Sequence, residues 1–514
     1  MIIRKTLFFI FFLFGNFALS AQWLSRQNLI VKLDVDQKEI IVQCLQVWPA
    51  QKNIAVLLHR NMKIDSVLCN GKKIDFTRKD SLLTLNVDAY ENVSKVVTYW
   101  YHGKPKEAIN PPWDGGFVWK TDKNSKHFIS TAMQDIGAYH WFPISSKFNF
   151  GLEHSIVTCT YPKDLFFKGN GRLIQDFIQP KQRTTSWETK TPISSYNICL
   201  NIGDFVHLSD TLYRNNGTKL SLDFYPLIYN KERAIKQFEQ VKPMLICFEE
   251  YFGEFPAQKD GFSIVEAPYA GMEHQSAIAY GNEYQNGYGG KDYSGIGLNF
   301  DFIIIHESGH EWWGNSIKAC NSKDFWLQEA FCTYAEYVYV KCLFNDSIAN
   351  KYINHKRTLV TNTAGILSGE KTEIDIYSKG ALMLRSLQNF CKTDDEWFQL
   401  LKQFAAEYKH KCLNTEELVS WWSKQMKFDL KPFFMQYLET TLIPELAFSV
   451  EKNKNKYIYK ARLTNVVDGF TLPVTWFVSP QIKKVVLLSA KESTFELNVA
   501  NALPDKEISF FSLK

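Results

Sequence analysis

His306, Glu307 and His310, in the order His-Glu-Ser-Gly-His, constrain this chain more than any other five residues. On a helix, positions i and i+4 lie on one face, so the two imidazoles project side by side and can share a metal ion. The glutamate beside the first histidine can then reach a water on that metal. Phe302-Ile303-Ile304-Ile305 runs straight into the pair, which suits a buried helix carrying a site into a core. A catalytic zinc takes three protein ligands and keeps one position open. Glu329, in Trp326-Leu327-Gln328-Glu329-Ala330-Phe331 at the head of a second apolar-periodic stretch, is the candidate third. The set predicts one Zn2+ per chain, held by His306, His310 and Glu329, with Glu307 as general base. A lone histidine here would read as a hydrogen-bonded core residue; the spaced set reads as a zinc hydrolase.

The wider setting carries a resemblance. His306 to Asn315, His-Glu-Ser-Gly-His-Glu-Trp-Trp-Gly-Asn, resembles the HExxHxWxGN segment of the M1 (gluzincin) metallo-aminopeptidases. Eighteen residues separate His310 from Glu329, the interval that family uses for its third ligand. Ala270-Gly271-Met272-Glu273-His274 resembles its GxMEN exopeptidase motif, and Tyr377-Ser378-Lys379-Gly380 its YxKG segment. The resemblance implies that Glu273 binds the free α-ammonium of a peptide substrate. It implies that Gly271 and Met272 lie along the substrate as an edge strand. It gives Tyr377 the task of donating a hydrogen bond to the developing oxyanion. Read without the family, Tyr377 is a core aromatic and residues 270–274 are an ordinary strand end.

Two departures from the family pattern matter. His274 stands where the family usually has Asn, and Ala270 where it usually has Gly; a histidine could still donate a hydrogen bond there. Met133-Gln134-Asp135-Ile136, ahead of Trp141-Phe142-Pro143, is similar to the family's substrate-contacting TQxE-type segment. That makes Gln134 a substrate-binding candidate, with a plain loop as the alternative. Ile136 stands where many members place a second amine-binding Glu or Gln, which implies a weaker amine anchor. Glu336, seven residues after Glu329 on the same helix face, is either a partner of a ligand histidine or a solvated charge. Glu311 receives no role.

Around these motifs the periodicity divides the chain. From 22 to about 206, short alternating runs such as Ile54–Leu58, Ser94–Trp100 and His154–Cys159 read as strands of an antiparallel β domain, with a turn at Lys168–Gly171. From 207 to 443 helical runs dominate after a strand at Phe262–Glu266. They are Arg233–Phe252, kinked or broken at Pro243, Trp326–Val340, Gly380–Phe390, Trp397–Tyr408 and Glu416–Lys424. Gly281–Gly297 reads as a loop. From 444 to 514 alternation returns, at Lys456–Ala461 and Lys484–Leu488, as a small C-terminal β domain. The fold class is α+β, and the resemblance implies a thermolysin-like domain in the middle. Many family members continue into a large helical domain over the site. This sequence leaves no room for one, which predicts a more open cleft unless another subunit closes it.

Residues 1–21 read as a cleaved signal peptide: Arg4 and Lys5, then an apolar run from Leu7 to Phe14, then small residues for cleavage after Ser20 or Ala21. The run is short for a membrane span, and no later stretch is long and apolar enough, so no stable anchor is expected after cleavage. Losing Arg4 and Lys5 lowers the formal charge from +5 to +3, too little over this length to imply a polyanionic partner. No nucleic-acid motif is present. Ten cysteines without a CxxC pair leave the pairing open between disulfides, which export would permit, and buried thiols. Cys320 and Cys332 lack the spacing of zinc ligands. The expected function is a secreted or periplasmic zinc aminopeptidase acting on peptides. The alternatives are an endopeptidase or epoxide hydrolase on the same site, or a non-catalytic binding protein that keeps the fold.

Overall fold

The computed structural model describes residues 24–87, 92–134, 137–146, 151–368, 373–479 and 482–514. The expected signal at 1–21 and the Ile136 position lie outside them. In the first part of the chain, strands that bury every second residue pair into sheets, as a period of two requires. The largest has eight strands, ordered Arg172–Ile178, Gln182–Thr189, Ser155–Pro162, Arg26–Asp34, Glu39–Trp48, Lys95–Gly103, Met62–Cys69 and Lys72–Lys73. Its pairings are antiparallel except one, where Arg26–Asp34 runs parallel to Ser155–Pro162. Two four-stranded sheets share its core, which includes Val42, Tyr99, Tyr101, Trp141 and Phe142.

A second sheet begins at Leu208. Its order is Leu208–Tyr213, Lys219–Tyr225, Phe262–Glu266, Ile278–Tyr280 and Gly271–Met272, so the last two-residue strand is an edge. The run expected as one kinked helix is two, Lys231–Gln237 and Val241–Phe252, joined by a 3-10 turn. The break falls just before Pro243, which then sits in the first turn of the new helix, where its missing N–H costs nothing. The helix expected from Gly380 starts seven residues earlier, at Glu373, and ends at Gln388. Gly380 is therefore mid-helix, and it is needed there: a Cβ would come within 2.6 Å of the Ala330 Cβ on the neighbouring helix Trp326–Leu343. That close approach carries Tyr377 toward the histidine pair. Helices Asp346–His355 and Lys431–Leu438 escaped the periodicity reading, being short.

From Glu445 strands return in two small sheets, with Trp476 buried between Phe448 and Phe495 at 5.0 and 5.3 Å. Phe433 and Tyr437 of the last helix stack on Phe470 and Phe510, so the helices and the final strands share one core. Four cysteines form two disulfides, Cys247–Cys342 and Cys320–Cys412; the other six are free thiols. Among the described residues, no helix is long and apolar enough to cross a membrane.

Candidate metal centre

Asp301 starts the helix Phe302–Gly309, its carboxylate accepting from the N–H groups of Ile303 and Ile304. The same carboxylate accepts from Tyr280, Gln237 and Asn282, which ties the helix to the sheet and to its neighbour. The apolar turn Ile303-Ile304-Ile305 is buried and delivers His306, Glu307 and His310 into the interior. Helix Trp326–Leu343 brings Glu329 against them.

His306 Nε2 and His310 Nε2 lie 3.4 and 3.5 Å from Glu329 Oε2. On each ring the other nitrogen is engaged. His306 Nδ1 is 2.6 Å from Glu336 Oε1, and His310 Nδ1 is 2.9 Å from the Trp313 carbonyl. With both Nδ1–H groups donating, both Nε2 lone pairs face Glu329. Ligands about 2.0–2.1 Å from a tetrahedral zinc stand roughly 3.3–3.4 Å apart, and the observed spacing matches. Glu329 Oε2 is buried with no hydrogen-bond partner among the described residues. Glu273 and Glu307 are buried within reach of His310. A cation would stabilise buried carboxylates gathered this closely, and the donor set fits one zinc ion.

The electrostatics follow from burial and from neighbours. Burial alone would raise the Glu329 pKa, but His310 and His306, when protonated, hold it down to about 2. Glu307 is raised to about 7, chiefly by burial. Tyr377 is pushed well above 10 by burial and then by Glu329, so it keeps its proton and can donate. Its ring lies 5.8 Å from that of His306. Glu336 is fully buried, which decides its reading: beside His306 it accepts from Tyr352 and from Lys356 at 3.2 Å. Neither Cys320, which is in a disulfide, nor Cys332 belongs to the three-donor groups.

The remaining residues surround this centre. Gly271 and Met272 pair antiparallel with Tyr280 and Ala279. Gly271 is required by proximity, because a Cβ would come within 2.7 Å of Glu307 Oε1. Glu273 follows directly, buried at the strand end. Gln134 is half-buried and lines a cavity of about 1110 Å³ with Glu329, Tyr377 and His140. A second cavity of about 380 Å³ is walled by Trp113, Tyr288, Tyr293 and Phe302 and opens onto His306 and Glu307. Tyr377 lines both, so the histidines sit where two cavities meet. His274 is fully buried. Burial pushes its pKa down to about 4, against a hydrogen bond with the Met133 backbone that works the other way, so it sits there as a neutral ring.

Sequence reasoning missed a polar network behind Glu273. Asn315 Nδ2 donates to the Glu273 carbonyl at 2.8 Å, and Asn197 Nδ2 donates to Asn315 Oδ1 at 2.7 Å. Glu311, given no role, accepts from the Ser276 N–H at 2.8 Å. Asn315 and Glu311 stand inside the recognised motif, which was a usable signal. Asn197 lies far upstream and offered none.

Comparison with known proteins agrees with this geometry. Residues 236–437 match the model of the peptidase family M1 domain. The chain is 23% identical over 484 residues to probable aminopeptidase 1 of Sulfurisphaera tokodaii, covering 87% of this chain and 57% of that protein. It is 21% identical over 404 residues to human glutamyl aminopeptidase, covering 73% and 41%. The chain thus spans about half the length of the curated relatives it matches. The fold is similar to that of an M1 zinc metallopeptidase from Deinococcus radiodurans, solved as a mutant bound to a Tyr-Ser-Ala substrate. The TM-score is 0.69 at 13% identity, covering 82% of this chain and 95% of that one.

Proposed function

We propose, from the match of residues 236–437 to the peptidase family M1 domain, that this chain is a member of that family and a secreted zinc aminopeptidase removing N-terminal residues from peptides. One observation carries the reading: two Nε2 atoms and the unpartnered Glu329 Oε2 converge at zinc spacing, with Glu307 beside them. His306, His310 and Glu329 would hold the zinc, which when bound would supply Lewis acidity and make a water more acidic. Glu307 accepts the proton of the attacking water and returns it to the leaving amine. Tyr377 donates to the oxygen that becomes negative as the carbonyl turns tetrahedral. Gly271 and Met272 hold the substrate main chain along the sheet edge. Glu273 pairs with the α-ammonium, so cleavage is counted from the N-terminus, and Gln134 contacts the substrate from the larger cavity. The leader-like residues 1–21 and the two disulfides support an exported protein.

The test is hydrolysis of paired fluorogenic aminoacyl substrates, free and N-acetylated, by the mature chain with zinc. Only the free-amine set is expected to be cleaved. Chelation should abolish cleavage, and Glu307→Gln should lower kcat by about 1000-fold or more, general-base transfer and water orientation being lost together. Cleavage of the blocked set as well would make the protein an endopeptidase. Stoichiometric zinc without cleavage of either set would point to an epoxide substrate or a binding role. N-terminal sequencing of exported protein should begin at Ala21 or Gln22.

A further inference from the structure

The cavity of about 380 Å³ beside His306 is walled by rings. Tyr288 stands edge-on to Tyr293 and to Phe302, with centroids 6.0 and 5.9 Å apart, and Phe302 stacks on His306 at 5.4 Å. The row runs from the exposed Tyr293 to the histidine pair. Trp113, from the N-terminal part of the chain, lines the same cavity. Both outer rings sit on pinned turns. The Asp114 carboxylate accepts from the N–H groups of Ile109 and Asn110, at 2.5 and 3.0 Å, which holds the turn carrying Trp113. The Asp292 carboxylate accepts from the N–H groups of Ser294, Gly295 and Gly297, which holds the turn carrying Tyr293. Trp113 is 60% exposed and Tyr293 47%. Large rings kept in water on fixed turns around one apolar cavity mark a surface that an apolar group covers. The buried charges along this cavity are already paired: Glu336 accepts from Lys356 at 3.2 Å and lies 2.6 Å from the His306 ring.

The edge strand decides which part of a peptide reaches these rings. Glu273 marks the amine end. Gly271, two residues before it, lines the ring-walled cavity, whereas Gln134 and Glu329 line the other. A peptide laid from Glu273 along the strand toward Gly271 therefore brings its second residue to the rings. Glu307, which returns a proton to the leaving amine, lines the same cavity. We infer that this cavity receives the side chain of the residue after the scissile bond, and that Trp113 and Tyr293 make it select a large uncharged one, aromatic or branched aliphatic. The inference rests on the aminopeptidase reading, which fixes the amine end at Glu273. Such a side chain exchanges water for ring faces. A carboxylate or an ammonium would lose water there and find the buried charges taken.

The test measures kcat/KM of the full mature chain with zinc on Ala-Xaa dipeptide amides, free and N-acetylated, by chromatography of the released alanine. With Phe or Leu as the second residue the value should exceed that with Gly about 10- to 100-fold, and Asp and Lys should fall below Leu by at least about 10-fold. Trp113→Ala and Tyr293→Ala should each cut the preference for Phe over Gly about 10-fold, with the Gly substrate within about twofold of wild type. Trp113→Phe, which keeps a ring on the turn, should retain most of the preference. The unfolding midpoint should not move, because both side chains stand half in water. Tyr293 lines this cavity and not the other, so the ranking of first residues, read with Xaa-Ala amides, should be the same in Tyr293→Ala as in wild type. Equal values for Gly, Leu and Phe, with the free amine still required, would overturn the inference alone. So would a Tyr293→Ala variant that alters the ranking of first residues and leaves that of second residues intact. Equal cleavage of the acetylated set would overturn the aminopeptidase reading and this inference with it.

Discussion

The histidine side of the site and the Glu273 side are assembled over different distances. His310 and His306 are oriented by Trp313 and Glu336, partners 3 and 30 residues away in sequence, all within one run of two helices. Glu273 and the loop after it are held by contacts that span 42, 105 and 118 residues and reach into the N-terminal sheets. One side is built by local helix geometry, where an i, i+4 pair needs only a helix and a neighbour. The other exists only once two layers of the molecule have docked. The two sides should therefore fail separately: damage to one should alter metal affinity, damage to the other should alter amine recognition.

The sharpest break is Glu336→Ala. It leaves His306 Nδ1 without its carboxylate, so zinc affinity should fall about 10- to 100-fold, as for other lost partners of metal-bound histidines. Competition with a chelating dye measures this. With zinc saturating, the preference for free over acetylated substrates should be unchanged. Glu336→Gln, which keeps an acceptor for the ring N–H, should recover part of the loss. A changed amine preference at saturating zinc would show that the two sides are one unit.

Asn197→Ala is the converse. It strands the Asn315 carboxamide and the Gln275 N–H in a buried setting. KM for free-amine substrates should rise about 10-fold, and stability should fall by roughly 1–3 kcal/mol, the cost of unpaired buried groups. Zinc affinity in the same dye assay should stay within about twofold of wild type. A parallel fall in zinc affinity would mean that the network reaches the ligands, and the comparison would collapse.

That division also explains what could be read from the sequence. The candidate ligand set was legible in part because its geometry is periodic: His306 and His310 follow from helix spacing, Glu329 was picked out by its interval from His310 in the resembled motif, and Glu336 shares the Glu329 helix face but stayed open between a histidine partner and a solvated charge. Strand Phe262–Glu266 has the bounds expected for it, since a short apolar run between turns leaves little choice. The start of the helix bearing Tyr377 was misjudged because Gly380 looks like a terminus locally, and only the Ala330 contact shows why a glycine belongs mid-helix. Asn197 could not be found at all, because nothing in the chain marks which turn of one sheet will meet which strand of another. Disulfide pairing was left open for the same reason, its partners lying 95 and 92 residues apart.

The smallest effect concerns the seam behind the Glu273 side, where two lysines are buried. Lys168 Nζ donates to the carbonyls of Gly169, Gly171 and Ser276 and lies 4.1 Å from the Trp187 ring centre. Lys318 Nζ donates to Ser194 Oγ at 2.8 Å. Burial pushes both down to about 7. A depressed lysine pKa means that between about pH 7 and the ordinary value near 10.5 the folded state binds fewer protons than the unfolded one. Stability then rises with pH across that window and is lost as pH falls back through 7. Each lysine contributes up to about 1.4 kcal/mol per pH unit in the middle of the window. Urea unfolding of the mature chain at about pH 7.5 and 8.5 should show the gain. Lys168→Met should remove one share of the slope and Lys318→Met the other. Neither substitution should change zinc affinity, because both lysines belong to the docked seam and not to the helix pair. A slope that survives in the double variant would place its origin elsewhere and leave the seam without a titratable part.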